Sequence, residues 1–137
     1  MKRLSIGLFL FLLFSCQQEK SFLGKWRLVA IDYSEHLETL EGEEKTFFES
    51  ILEKQSVMLD QTFYDFKGGN ELHVITPKKV GSGQIMQIEK WGSTKNLDSL
   101  YFINEEMEIF RVDWSKRDTL QLFATDYPKR KLVLVKE

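Results

Sequence analysis

The chain has one cysteine in 137 residues, so no disulfide can form within it, and any domain it builds is held by its apolar core alone. It has two histidines, His36 and His73, in separate segments, and no histidine or cysteine cluster with the spacing of a metal site. It lacks a basic excess: 19 Lys and Arg stand against 21 Asp and Glu, a formal charge of −2, which argues against nucleic acid as a partner. It also lacks an apolar run of bilayer-spanning length, because the run over residues 4–14 is too short to cross. Attachment to a membrane by another route stays open.

What the N-terminus does carry is Lys2 and Arg3, that apolar run, and then small Ser15 and Cys16. A basic pair followed by a short apolar stretch is an export signal, which is left out of fold reasoning. Leu13-Phe14-Ser15-Cys16 resembles the lipobox cut by lipoprotein signal peptidase. The resemblance implies a signal peptide over residues 1–15, acylation of Cys16, with palmitate among the chains, and a tether over residues 16–21. Each buried CH₂ contributes about 0.8 kcal/mol, so two or more chains hold a protein at the membrane where one does not. Gln17 stands where an Asp would resemble the inner-membrane retention signal, which points to the outer membrane of a Gram-negative envelope. The competing readings leave Cys16 as an ordinary thiol or as an unmodified residue on an N-terminal anchor. Loss of Lys2 and Arg3 leaves 17 basic against 21 acidic residues, a formal charge of −4. Residues 32–53 hold eight carboxylates and one lysine, and Lys129-Arg130-Lys131 forms a basic turn; both read as solvated faces.

The domain expected over residues 22–137 begins with a strand at 22–33, with Trp26, Leu28 and Ala30 on one face and Val29, Ile31 and Tyr33 on the other. The period then changes. Leu40, Phe47, Phe48, Ile51, Leu52 and Leu59 recur at helical spacing against a charged opposite side, which predicts one amphipathic helix, firmest over 43–55. Strands follow at 61–67, 71–76, 84–91, 97–104, 107–114, 119–126 and 131–136, separated by turn residues such as Gly68-Gly69-Asn70. Short connections force antiparallel neighbours, and an eight-strand meander removes its exposed edges by closing. The prediction is a mainly β fold: an eight-stranded antiparallel up-and-down barrel with a helix between strands one and two.

Leu23-Gly24-Lys25-Trp26 looks like the Gly-x-Trp signature on the first strand of lipocalins. The Phe63-Tyr64-Asp65-Phe66 strand ending in Gly68-Gly69-Asn70, the Trp91-Gly92 strand end and the closing Leu132-Val133-Leu134 are similar to small bacterial lipocalin-like lipoproteins, with a calycin-like barrel. The resemblance implies that Gly24 and Trp26 form a barrel-closing motif, with Trp26 as the plug. Lys136 stands where lipocalins carry an arginine against this tryptophan. A helix inserted between the first two strands resembles the portal of intracellular fatty-acid-binding proteins, which makes Phe47, Phe48, Ile51 and Leu52 candidate lid residues over a ligand. The same four could equally bury the barrel's mouth as part of one core.

Phe63, Phe66, Trp91, Phe102, Phe110, Trp114 and Phe123 could fill so small a barrel. Arg111 is the candidate to grip a fatty carboxylate, although alternation favours Phe110, Val112 and Trp114 as the inward set. No catalytic residue is spelled: Gly81-Ser82-Gly83 lacks the setting of a nucleophile or phosphate loop, and Asp113, Asp118 and Asp126 sit where turns collect carboxylates. The expectation is a non-enzyme without cofactor or metal. Its first role is binding a small hydrophobic molecule, and its second is contacting a protein partner with a packed barrel.

Overall fold

Apolar-alternating segments joined by connections of a few residues pair antiparallel with their neighbours, and the chain does this all the way round. The computed structural model describes residues 20–137. The elements are β1 (Gly24–Asp32), α1 (Ser34–Leu37), α2 (Gly42–Ser56), β2 (Phe63–Phe66), a 3₁₀ turn (Gly68–Asn70), β3 (Glu71–Pro77), β4 (Gln84–Ser93), β5 (Ser99–Ile103), β6 (Met107–Lys116), β7 (Thr119–Ala124) and β8 (Lys131–Lys136). Each strand bonds to the next and β8 returns to β1, closing an eight-stranded antiparallel barrel compatible with a calycin-like fold. Every strand partner lies within the described residues, so this segment holds what it needs to fold by itself. The expected signal peptide and Cys16 lie outside the described residues.

Two local expectations are corrected. The β1–β2 connection holds two helices, because α1 is a single turn of four residues that has no period to read. In β1, Leu28 pairs with Leu134 and Ala30 with Val133, so Val29 is an extra residue, a bulge. The bulge shifts the phase of the strand: Ile31, not Ala30, packs against the core.

One end of the barrel is closed by an aromatic plug. Trp26 is fully enclosed and its Nε1 donates to the Phe22 carbonyl at 2.8 Å. Phe22 packs on Trp114 at 4.9 Å, Trp91 at 6.0 Å and Phe66 at 6.2 Å between ring centroids. Trp91 donates to the Lys67 carbonyl and Trp114 to the Leu97 carbonyl, so all three indole N–H groups are satisfied while their rings stay in the core. The ammonium of Lys136 lies 4.8 Å over the Trp26 ring and donates to the Leu23 carbonyl at 2.5 Å. Leu72, Leu100, Phe110, Leu120, Leu122 and Leu134 fill the waist. Of the seven large residues that could have filled the interior, Phe63 and Phe123 face outward, under Lys25 and Arg111 respectively.

Gly24 has φ +111°, and a Cβ there would stand 2.9 Å from the Lys136 Nζ. Gly24→Ala is therefore expected to cost about 1–3 kcal/mol by backbone strain and by displacing the lysine. Thermal denaturation checks this, and an unchanged melting temperature would contradict it.

Candidate functional site

At the end opposite the plug, the inward rows of the strands run out of core residues. The rings of Tyr64 and Phe102 stack 5.5 Å apart and form a floor, with Phe66 packed behind Phe102 at 6.0 Å. Over this floor lies a cavity of about 280 Å³. Its walls are Leu28, Ile31, Val74 and Leu132, and one side is capped by Gln55 of α2 with Met58 and Leu59 just after it. This volume falls just short of the roughly 300–1,000 Å³ of ordinary ligand pockets, which fits a small molecule or a short chain better than a whole lipid.

The rim is polar. Tyr33, Glu89, Asn104, Glu108 and Arg130 border both this cavity and a wider outer cleft of about 880 Å³. Four of the five continue an inward row by two residues: Glu89 before Trp91, Asn104 after Phe102, Glu108 before Phe110 and Arg130 before Leu132. The period of two that builds the core therefore delivers them to the mouth.

Arg130 is the cation of this rim, with a side chain only 12% exposed. Its Nη2 donates to Glu108 Oε2 at 2.6 Å, its Nη1 donates to the Pro128 carbonyl at 2.9 Å, and Asp126 stands 3.9 Å away. The guanidinium also lies 5.4 Å from the Phe110 ring. Glu89 has no ion pair among the described residues. Burial raises the carboxyl of Glu89, and the nearby charge of Glu108 adds to this, against a partial offset from Asn104. Burial likewise pushes the Tyr64 phenol up, with Glu108 and Glu89 contributing in the same direction. Burial also raises Tyr33, where Arg130 opposes it.

The shift at Glu89 has a sign that can be tested. A carboxyl raised in the folded state stabilises fully below its ordinary value of 4.5 and loses that contribution as pH rises through the raised value. Asp32, held low by hydrogen bonds from Ser34, and Asp98, held low chiefly by Thr94, run the other way. Glu89→Gln removes only the first effect. The melting temperature of the variant relative to the wild type is expected to climb as pH rises from about 4 to about 7. A constant difference would contradict the assignment.

The residues singled out in the sequence fall in three places. Gly24 and Trp26 sit at the plug. Arg111 is on the outer face, its guanidinium 4.3 Å over the Phe123 ring, because Phe110 and Val112 take the inward phase; the arginine at the mouth is Arg130. Among the helix residues, Phe47 is 69% exposed, Ile51 and Leu52 are half-buried, and α2 has no buried residue at all. Phe48 stacks edge-on against Tyr33 at 5.2 Å and His36 at 4.7 Å, and His36 meets Tyr127 at 4.6 Å. None of the four helix residues lines the cavity, and α2 reaches it only through its last turn. Glu89, Glu108 and Arg130 were missed because each reads locally as an ordinary surface charge.

Among the described residues no group of three or more His, Cys, Asp or Glu is poised to hold a metal ion, and no helix is long and apolar enough to cross a membrane. In comparison with known proteins, no family model matches the chain and no curated protein matches it significantly.

Proposed function

We propose that this chain is a lipid-anchored envelope protein whose lipocalin-like barrel binds one small molecule with an apolar body in its mouth. The observation that carries the reading is the lining of the two ends: the hollow beside the plug is bordered by Lys20, Lys116, Arg117, Asp118 and Lys136, whereas the mouth's cavity rests on the stacked rings of Tyr64 and Phe102 between Leu28, Ile31, Val74 and Leu132, under a polar rim. An apolar-walled hollow with a few convergent polar groups at its rim has the form of an ordinary small-molecule site. The probe for this is octanol, titrated calorimetrically into the chain from Gln17 onward. Saturable binding is expected, and Val74→Trp, which sets an indole into the cavity wall, is expected to weaken it at least tenfold while the domain stays folded. Equal binding by wild type and variant would contradict the site.

The anchoring half of the proposal rests on the lipobox resemblance. Lys20 and Ser21 lie beside Trp26, Trp114 and Lys136, at the plugged end. The five residues from 16 to 20 span at most about 18 Å when extended. An acylated Cys16 therefore keeps the plug toward the bilayer and the mouth away from it. Cys16→Ala is expected to abolish acyl labelling and membrane retention; labelling that persists in the variant would refute the lipobox reading.

One observation favours a second reading, a protein-contact role. Strand β4 bonds to β5 only from Lys90 onward, so residues 84–89 are paired with β3 alone. That free edge carries Ile85, Met86 and Ile88, each 45–62% exposed. A barrel that takes up no small molecule would leave this edge as its working surface.

A further inference from the structure

We infer, resting on the ligand reading of the mouth, that the molecule bound there carries a cationic head, such as an alkylammonium, and not a fatty carboxylate. The inference comes from how the rim's charges are already used. Arg130 is engaged by Glu108 at 2.6 Å and backed by Asp126, and its guanidinium is largely enclosed. Glu89 takes a hydrogen bond from Asn104 but has no cationic partner among the described residues, although it borders both the cavity and the outer cleft. Glu105 and Glu106 line the outer cleft as well, so an approaching ligand meets five carboxylates and one arginine.

A carboxylate ligand would find the charge of Arg130 already matched by Glu108 and backed by Asp126, and it would add a third negative charge to Glu89 and Glu108 in a half-buried site. An ammonium head adds no such charge. It supplies the cation that Glu89, held by the Asn104 amide alone among the described residues, lacks, and it relieves the repulsion between Glu89 and Glu108, while its apolar tail lies against Leu28, Val74 and Leu132. The outer cleft adds attraction at long range, which raises the rate at which a cation arrives and makes that rate fall with salt.

Three probes with one tail separate head from body: octylamine, octanol and octanoate, titrated calorimetrically at neutral pH and low salt into the chain from Gln17 onward. Octylamine is expected to bind about tenfold tighter than octanol, the order of one charge-assisted hydrogen bond, with octanoate weakest of the three. Glu89→Gln is expected to lower octylamine affinity by a similar factor and to leave octanol unchanged. Octanoate binding as tightly as octylamine would overturn the inference, as would a Glu89→Gln variant that weakens all three probes equally. If octanol binds without any preference for the amine, the ligand reading stands and the cationic head falls. If none of the three binds, both fall together. The wild-type ranking needs no variant, so the inference can fail even where a substitution perturbs folding.

Discussion

Trp26→Ala is expected to lower the unfolding free energy by about 3–5 kcal/mol, the cost of emptying a fully buried tryptophan site. In a domain of this size that corresponds to a fall in melting temperature on the order of 10 °C or more. The loss has three parts. The indole fills the floor of the plug, its N–H satisfies the Phe22 carbonyl, and its ring carries the Lys136 ammonium. Trp26→Phe keeps most of the volume but neither the N–H bond nor the full ring face, and falls between alanine and wild type. Denaturant unfolding at neutral pH reads both variants. A loss below about 1 kcal/mol for alanine, within the range of ordinary surface substitutions, would mean that the plug is not a keystone of the fold.

Arg130→Ala is expected to cost about 1–3 kcal/mol at neutral pH, less than a fully buried pair because Glu108 keeps some contact with water. The variant leaves Glu89 and Glu108 facing each other without a cation, so the loss shrinks in acid, where the carboxylates take up protons. Arg130→Lys retains the charge but not the fork that spans Glu108 and the Pro128 carbonyl, and recovers only part of the stability. Arg111→Ala is the matched control: exposed and resting on Phe123, it is expected to cost no more than about 0.5 kcal/mol. Chemical denaturation at neutral and acid pH measures the set. Equal losses at positions 111 and 130 would contradict the placement of Arg130 as the cation of the mouth's rim.

Much of the barrel was legible because its signals are local. Alternation and turn residues gave the strands in their order, with ends that shifted by only a few residues. The bulge at Val29 was not legible, because no glycine or proline announces it; it arises from how β1 meets β8 across the whole chain. The helix stands where its period put it, at Gly42–Ser56, but a helical period states which residues share a face and not whether anything covers them, and Phe47 remains exposed. The rim residues occupy a middle ground. Glu89, Asn104, Glu108 and Arg130 each lie two residues from an inward-facing residue, so following the inward phase through β4 and β6 and one step beyond β5 and β8 would have named them. The pairing of Arg130 with Glu108 needed the register of β6 against β7, which sets Ala124 beside Phe110 and brings the β7–β8 connection alongside the start of β6.

The contrast between a filled end and an open one leads to one decisive observation, the native mass of the barrel from Gln17 onward, recovered from a bacterial periplasm and weighed before and after organic extraction. The account predicts a reproducible extra mass, removed by extraction, restored by octylamine and reduced in Val74→Trp. A clean apo mass that persists after challenge with octylamine, octanol and octanoate would contradict it, and the exposed edge of β4 would become the surface to explain.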